Sequence, residues 1–401
     1  MTFPASHFAL PPSRRTVLAA LLAAPALSWA AGPGKAIVVG IDGEFGLQNS
    51  TSAQAIELGV RIALAEINGA GGVLGGRRIE VLTKDHRSIP ARGINNIAEF
   101  AAIPEVVAIF GGRFSPVVIE QLPALKAAHL PFLAVWSAAD AIVDNDSKPN
   151  YAFRLSLRDS LAMPFMLKSA GQRKLDRVGL LLTNTAWGRS NLAAADKFAE
   201  AGGAPRIVST AWYNWTEKSL VDEYLKLRAA GAQAIVLVAN DDEAALLVRE
   251  VAALPPKQRL PIISHWGVTG GKFVRAAGAA LKDVDFSVVQ TFSFFNARKE
   301  ALERFMASAK PFGVTNIDQI ESPVGVAHAY DMMHILAKAI ERAGSTDRRK
   351  IRDALEQVPM HDGLVRRYAP PFTASRHEAL GPTELLMARY REDGVLVPAR
   401  P

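Results

Sequence analysis

The chain has 401 residues, of which 49% are apolar and 21% are charged, a composition typical of a folded globular protein of about two domains. It contains no cysteine, which excludes disulfides and a lipid attached through a cysteine thiol. The formal net charge of +7 comes from scattered basic residues, and the one dense basic cluster, 348–352, follows a Ser-Thr-Asp helix start. We therefore expect no nucleic-acid partner.

Residues 1–31 are typical of a cleaved export signal. A charged segment, SRRTVL (13–18), precedes the apolar AALLAAPAL (19–27) and then small residues. This apolar stretch is too short for a membrane helix, which needs ~20 apolar residues. The pair Arg14–Arg15 fits a twin-arginine signal, and a general secretory signal that contains two arginines fits equally well. Either signal predicts a periplasmic protein.

Along the rest of the chain, apolar runs typical of strands alternate with helical patterns. Strands are expected at 36–41, 78–83, 106–110, 131–135, 177–183, 206–211, 234–239, 261–264 and 285–292. Helices are expected near 52–68, 91–103, 115–128, 158–171, 189–202, 217–230, 241–254, 270–281, 297–310, 322–343 and 347–357. Such alternation predicts an α/β fold of doubly wound parallel sheets with helices on both faces.

The elements divide between two predicted sheets. Strands up to residue 135 form the first sheet, and the second begins at Arg177, after the crossing segment 151–159. The strand near 285–292 is expected to return to the first sheet. The acidic loop Asp42–Gly46 directly follows the first strand, so it lies at the carboxyl edge of its sheet. Open α/β folds bind ligands at that edge, which makes this loop part of a candidate site.

A series of motifs carries a family resemblance over about 35–365. These are AIELGVRIALAEINGAGGVLGGRRIEV, VVAIFGGRFSP, LPFLAVWSAADAIVD, NYAFRLSLRDS, VGLLLTNTAWGRSNLAAADKFAEAGG, LKLRAAGAQAIVLVANDDEAALLVRE, LPIISHWGV and VGVAHAYDMMHILAKAIERAGSTD. In this order they resemble the type I periplasmic binding proteins of the leucine/isoleucine/valine-binding family. The resemblance implies two α/β lobes joined by a three-strand hinge, with a small molecule bound between them.

The resemblance also implies lobe boundaries and partners. Lobe I would comprise 35–152 plus 286–362, and lobe II 153–285 plus 363–401. The ligand-bound receptor, expected as a monomer, would deliver its ligand to an ABC permease in the inner membrane. The alternative is a sensory receptor of the same fold that acts on a membrane sensor kinase or regulator, and the sequence does not separate the two.

Carried over residue by residue, the ligand contacts of the family fall on four loops. These positions are Phe114, Ser115, Trp136, Ser137, Ala138, Trp187, Asn240 and Asp241. A fifth position, which in the family often holds an acid that binds an α-ammonium group, is Trp266. A threonine that is usual in the family is replaced by Ala138. Both departures argue against an ordinary α-amino acid as the ligand.

Aromatic residues stand in place of those polar groups. Trp136, Trp187 and Trp266 lie in three of the predicted cleft loops, and Phe45 and Phe114 lie in two more. Such rings stack on flat molecules and attract methylated cations, so the ligand is expected to carry a ring, with a methylated cation as the second choice. The alternative is that one or two of these tryptophans pack inside a lobe beside the cleft.

The polar candidates are fewer. Ser115 and Ser137 are expected to bind a carboxylate. Arg113 either pairs with an anion or is solvated or paired at the hinge. Asp42, Glu44 and Asp241 suit a cation, but solvated loop acids are the favoured interpretation.

No enzyme, cofactor or metal signal has the required context. Gly69, Gly71 and Gly75 follow a helix and precede a strand, the reverse of a dinucleotide-binding turn. His328 and His334 are six residues apart on one helical pattern, a poor spacing for a shared metal. There is no G-x-S-x-G nucleophile motif. We expect a binding protein without cofactor, metal or catalytic residues.

Overall fold

Residues 34–399 are described in a computed structural model. The predicted leader, with Arg14–Arg15, lies outside them. Every predicted strand and helix after the leader is found at its predicted place, within a few residues. None of the helices in the described range is long and apolar enough to cross a membrane.

The first sheet has five parallel strands in the order β2-β1-β3-β4-β5. Their bounds are β1 Ile37–Gly43, β2 Ile79–Asp85, β3 Val106–Gly111, β4 Phe132–Ala134 and β5 Ala152–Arg154. All residues of β3 and β4 are buried, as expected for strands covered by helices on both faces. The predicted crossing segment 151–159 thus begins with a strand, β5, which the sequence analysis missed because only three residues pair.

The second sheet contains five parallel strands and an antiparallel hairpin. The parallel strands are β6 Arg177–Thr183, β7 Arg206–Tyr213, β8 Ala234–Val238, β9 Ile262–Ser264 and β10 Phe286–Gln290. Two short paired strands follow later in the chain, β11 His361–Asp362 and β12 Arg367–Tyr368. The hairpin is β13 Leu386–Tyr390 and β14 Leu396–Pro398, and the sheet order is β14-β13-β10-β9-β8-β6-β7.

The prediction that the strand near 285–292 returns to the first sheet is wrong. Strand β10 pairs in parallel with β9, with Phe286 opposite Ile262, and it pairs antiparallel with β13 on its other side. Hydrophobicity alone does not distinguish the two sheets, because either would bury this strand. The lobe boundaries given above otherwise stay a prediction, with 286–290 now placed in the second sheet.

Within residues 34–399, eleven α-helices cover the two sheets. Their bounds are α1 Ser52–Gly69, α2 Pro90–Ala101, α3 Ser115–Ala127, α4 Asp159–Gln172, α5 Ala186–Glu200, α6 Val221–Ala229, α7 Asp241–Ala253, α8 Phe273–Ala277, α9 Lys299–Ala309, α10 Pro323–Ala343 and α11 Arg348–Leu355. Helix α10 lies directly against α1, because Gly59 lets the backbone of Val326 approach; a Cβ at Gly59 would meet the Val326 carbonyl. Helix α10, which packs on α1, therefore returns the chain to the first lobe after β10.

The chain crosses between the lobes three times. The first crossing joins β5 to α4, and the second follows β10, where Thr291 Oγ1 lies 2.9 Å from His328 Nε2 of α10. The third crossing lies between Ala379 and β13. The Ala379 N–H donates to the Arg154 carbonyl of β5 at 2.9 Å, and the chain then continues to β13 in the second sheet. A buried ion pair between Arg154 and Glu378 ties the first and third crossings together. The crossings fix which loops of the two sheets face each other.

Candidate ligand-binding cleft

Loops at the carboxyl ends of the strands in the two sheets are in direct contact. The Thr51 N–H donates to the Gly270 carbonyl at 2.8 Å, and the Lys272 N–H donates to the Asn49 carbonyl at 3.0 Å. The Asn49 amide also donates to Asp242 at 3.0 Å. The two lobes are therefore closed on each other, and the candidate site lies between them.

A group of buried charges bridges the lobes, and we call Glu44, Arg113 and Asp241 the charge cluster. Arg113, two residues after β3, places Nη1 2.7 Å from Asp241 at the start of α7 and donates to the Gly267 carbonyl at 3.2 Å. Its Nε lies 3.8 Å from Glu44 Oε1. Burial alone would lower the pKa of Arg113, but the two carboxylates outweigh burial and raise it. Arg113 thus remains charged and holds the lobes together.

The acids of the first loop are not solvated, and the favoured interpretation of the sequence was wrong. Asp42, Glu44 and Asp241 are at most 2% exposed. The Glu44 carboxylate accepts hydrogen bonds from the Ser50 and Ser52 hydroxyls at the start of α1. These residues look like loop acids in the sequence, but contact between the lobes removes Glu44 and Asp241 from water, and Asp42 is buried within the first lobe.

Asp42 has a different environment from Glu44 and Asp241. It accepts hydrogen bonds from Asn96 and Gln121 within the first lobe and makes no ion pair with a residue of the described range. Burial is the main cause that raises the pKa of Asp42 to about 7. Asp42 is therefore sensitive to pH near neutrality.

The second feature of the cleft is a group of aromatic rings, which we call the tryptophan cluster: Trp136, Trp187, His265 and Trp266. Trp136 follows β4 of the first sheet and Trp266 follows β9 of the second, and their ring centroids lie 6.0 Å apart. Trp266 also lies 5.6 Å from the ring of His328, next to the second crossing. Both tryptophans are 1% exposed. The two rings, one from each lobe, are in contact at an interplanar angle of 50°.

Trp187 joins this cluster through an acid that the sequence analysis did not select. Its indole Nε1 donates to Asp159 Oδ1 at 3.2 Å, and its ring meets that of His265 edge-on at 4.9 Å. Gly267 makes this packing possible, since a Cβ there would lie 2.6 Å from the Trp187 ring and 2.9 Å from Asn240 Oδ1. Asn240, Gly267 and Trp187 therefore form one wall of the site.

Phe114, which follows β3 of the first sheet, and Trp215, which follows β7 of the second, form an aromatic contact. Their centroids lie 5.5 Å apart in an edge-on arrangement, and the Arg113 guanidinium lies 4.9 Å from the centre of the Phe114 ring. Trp215 was missed because the strand before it was expected to end at residue 211, whereas β7 continues to Tyr213. Phe45 is half-buried beside Gly43 and has no ring partner among the described aromatic residues.

The remaining candidates line the loop after β4. Ser115 Oγ accepts a hydrogen bond from the Ala139 N–H at 3.2 Å. Ser137 is fully buried, and its hydroxyl has no hydrogen-bond partner in residues 34–399. The Ala138 carbonyl accepts from the Asp159 N–H at 3.0 Å. Apart from Phe45, the predicted residues thus form one connected group with the charge and tryptophan clusters.

Asp159, His265 and Trp215 are the cleft residues that sequence reasoning missed. Asp159 is the first residue of α4, where an acid is common because it favours the helix dipole, so its position gave no functional signal. His265 immediately precedes Trp266, and its proximity to that candidate was the one available signal. Only the folded structure shows that these residues belong to the cleft, because the first crossing places Asp159 beside loops of both sheets.

Comparison with known proteins places this architecture in a family. The profile of the family described as "Periplasmic binding protein" matches residues 38–394. A Brucella melitensis protein named "Leu/Ile/Val-binding protein homolog 7" is 23% identical over 335 residues, which are 80% of each chain.

Solved structures share the fold at low sequence identity. A type 1 periplasmic binding protein from Bordetella pertussis matches with a TM-score of 0.80 and 21% identity, over 91% of this chain and 99% of that one. An ABC transporter solute-binding protein from R. palustris in complex with 4-hydroxybenzoate matches with a TM-score of 0.74 and 17% identity, over 91% and 95%. The two-lobed fold and the family resemblance that the sequence predicted are confirmed, and the chain belongs to the periplasmic binding protein family.

Proposed function

We propose that this protein is the solute receptor of an ABC-type uptake system and that it binds a small, ring-bearing molecule between its lobes. The observation that carries the proposal is the pair Trp136 and Trp266, one from each lobe, with ring centroids 6.0 Å apart at the base of the cleft. Because the two rings lie on separate lobes and meet in the closed form, a flat molecule that contacts both of them would favour closure. Binding and closure would then be coupled.

The chemistry of the pair favours a ring over an aliphatic chain. Aromatic faces and edges add ~0.5–1.5 kcal/mol per ring pair beyond the area buried. The R. palustris relative is described in complex with 4-hydroxybenzoate, whereas the Brucella relative is named for leucine, isoleucine and valine. Relatives of this fold are thus described with both kinds of ligand, and the tryptophans of this chain support a ring-bearing one.

Hydrogen-bond donors beside the rings suit an acceptor group on the ligand. Trp136 Nε1 and Ser137 Oγ are buried and have no partner in the described part of the chain. Buried donors are almost always satisfied, so we assign them to the ligand. The Ser115 hydroxyl, which accepts from Ala139, retains its own proton to donate. A ligand carboxylate bound by Ser115 and Ser137 would use these donors.

Closure would be reported to the membrane through the outer surfaces of the lobes. The bridge from Arg113 to Asp241, at 2.7 Å, joins the lobes in the closed form. We propose that an ABC permease in the inner membrane recognises this form and that the receptor acts there as a monomer. The periplasm is the corresponding location.

Matched pairs of molecules test the proposal. In each pair, one member carries a ring and the other an open chain on the same head group: phenylalanine and leucine, benzoate and hexanoate, 2-phenylethylamine and hexylamine. Saturation at a hundred times the dissociation constant stabilises a protein by ~2.7 kcal/mol, which thermal unfolding detects. We expect the ring member to stabilise more in every pair that binds. Equal or stronger stabilisation by the open-chain members would overturn the proposal.

A further inference from the structure

A second cavity lies between the lobes, with a volume of about 360 Å³, and we call it the hairpin cavity. The second lobe lines it with residues of 269–275, which follow β9, and with residues of 390–396 in the C-terminal hairpin. Residues of 318–321, which directly precede α10 of the first lobe, complete the lining. No lining residue belongs to the charge cluster or the tryptophan cluster, so this cavity is separate from the candidate ligand cleft.

The hairpin cavity adjoins contacts that hold the lobes together. Lys272, which lines it, donates its backbone N–H to the Asn49 carbonyl of the first lobe at 3.0 Å. Thr269, another lining residue, accepts a hydrogen bond at its carbonyl from the Ser322 hydroxyl at the start of α10, at 2.8 Å. The cavity therefore lies where the lobes meet, and a molecule inside it would touch both of them.

The free charges of the lining are divided between the lobes. Lys272 and Arg275 are cations of the second lobe, and Glu321 is an acid of the first lobe. None of the three forms an ion pair with another residue of the described chain. Positive charge on one lobe and negative charge on the other suit a molecule that carries both signs at its two ends.

The other two acids of the lining are already paired. Arg391 of the hairpin lies 3.0 Å from Asp318 of the first lobe and 2.6 Å from Asp393 of its own turn. The Asp393 carboxylate also accepts a hydrogen bond from the Val395 N–H at 3.1 Å. These acids bind the hairpin to the first lobe, which leaves Glu321 as the acid free to bind a ligand.

Much of the remaining lining is apolar. Phe273 is 1% exposed, and its ring centroid lies 5.3 Å from that of Tyr390 in the hairpin. Ile320 of the first lobe and Leu396 of the hairpin add aliphatic surface. Such a lining suits a short hydrocarbon chain between the two charged ends of a ligand.

We propose that the hairpin cavity is a second binding site and that it takes a small zwitterion with a short apolar chain between its carboxylate and its ammonium group. Lys272 and Arg275 would bind the carboxylate, and Glu321 would bind the ammonium group, through charge-assisted hydrogen bonds. Because these partners lie on different lobes, the zwitterion binds the closed form better than the open form and favours closure. This site is additional to the one proposed for a ring-bearing molecule.

Three ligands of equal chain length test the need for both charges in the wild-type protein. The probe is 4-aminobutanoate, butanoate lacks its ammonium group, and butylamine lacks its carboxylate. We expect 4-aminobutanoate to bind at least fivefold more tightly than either of the others in isothermal titration calorimetry. Affinity of 4-aminobutanoate within twofold of butanoate or butylamine would overturn the inference. None of the three carries a ring, so that result would leave the ring proposal standing.

A double variant tests the carboxylate end. Lys272→Gln with Arg275→Gln should weaken the binding of 4-aminobutanoate at least fivefold and should not weaken that of butylamine. Lys257→Gln with Lys282→Gln is the control, because it removes two exposed cations of the second lobe that do not line the cavity. The control should change neither affinity more than twofold. Equal losses in the two double variants would indicate a general effect of net charge and overturn the inference.

A single variant of the first lobe tests the ammonium end. Glu321→Gln should weaken the binding of 4-aminobutanoate at least fivefold and leave that of butanoate unchanged or tighter, because it removes an acid close to the carboxylate. Glu300→Gln, which removes an exposed acid at the start of α9, is the control and should change neither affinity more than twofold. Parallel losses for 4-aminobutanoate and butanoate in Glu321→Gln would show a structural role only and overturn the inference, as would unchanged affinity for both.

Discussion

The charge cluster and the tryptophan cluster lie in the same cleft, but they differ in whether their charged groups form ion pairs. In the charge cluster, the Arg113 guanidinium is paired with Asp241 at 2.7 Å and lies 3.8 Å from Glu44, although Arg113 Nε and Glu44 Oε2 have no hydrogen-bond partner in the described range. In the tryptophan cluster, Trp136 Nε1 and the adjoining Ser137 Oγ and Asp159 Oδ2 have no partner in the described range. Opposite charges that are paired across the lobes are suited to close them, whereas buried polar groups beside the rings that belong to no ion pair are suited to recognise a ligand.

The largest expected effect is a dependence of stability on pH. It comes from Asp42, a buried acid near Glu44 that forms no ion pair in the described range. The pKa of Asp42 is raised from 3.8 to about 7, chiefly by burial. The folded protein therefore holds a proton that the unfolded chain releases between those pH values. The protonated Asp42 therefore stabilises the folded state fully below pH 4, and this stabilisation is lost as pH rises through 7. The free energy of unfolding falls by about 4 kcal/mol in total.

Asp42→Asn should remove this dependence. Urea unfolding of both proteins from pH 4.5 to 8 measures it, and the wild type should lose stability relative to the variant as pH rises. A constant difference between the two proteins across this range would contradict the raised pKa.

Breaking the charge cluster should open the lobes. Arg113→Met leaves Glu44 and Asp241 buried without their cation, which costs about 3 kcal/mol in the closed form. The lobes can avoid this cost by opening, so small-angle scattering should show a larger radius of gyration than in the wild type. Arg61→Met, which removes a surface pair with Glu57 on α1, is the control and should change stability by less than about 1 kcal/mol. An unchanged radius in Arg113→Met would show that the lobes close without this bridge.

Truncation in the tryptophan cluster should weaken binding. Trp266→Ala removes one of the two facing rings and should cost about 2 kcal/mol or more in the affinity for a ring-bearing ligand, as a buried aromatic anchor does. Trp212→Ala, which removes a tryptophan 36% exposed on β7, is the matched control for titration calorimetry. Loss of affinity in the control but not in Trp266→Ala would place the ligand elsewhere.

The smallest expected effect comes from a single hydroxyl. Ser137→Ala should weaken binding of a carboxylate-bearing ligand by about 1 kcal/mol, the net value of one hydrogen bond. Without ligand, the variant should be as stable as the wild type or slightly more so, because the buried hydroxyl has no partner in the described chain. A variant that is clearly less stable in the absence of ligand would indicate a structural hydrogen bond instead.

The sequence predicted the fold well because its information is local. Buried strands such as β3 and β8 are continuous apolar runs, and β8 is followed by the amphipathic helix α7, so the local pattern was sufficient. It failed at β10, whose partner strand depends on contacts between distant segments. The three-residue β5 was missed because so short a strand has no periodicity.

The candidate site was predictable in part for a related reason. Trp136 and Trp266 follow the ends of β4 and β9, and Trp187 lies in the first turn of α5, which places all three at the carboxyl edges of the parallel strands. The burial of Glu44 and the pairing of Arg113 with Asp241 depend on closure of one lobe on the other, which no local pattern encodes. Asp159 depends in the same way on the path of the first crossing.

The ratio of two affinities tests most directly the claim that one cluster closes the lobes and the other recognises the ligand. The ratio is that of a ring-bearing molecule to its open-chain partner, such as 2-phenylethylamine to hexylamine, measured in the wild type, Arg113→Met and Trp266→Ala. Arg113→Met changes closure for every ligand alike, so both affinities should fall and their ratio should stay within threefold of the wild type. Trp266→Ala should reduce the ratio at least tenfold. The opposite pattern, a changed ratio in Arg113→Met and a preserved one in Trp266→Ala, would contradict the account.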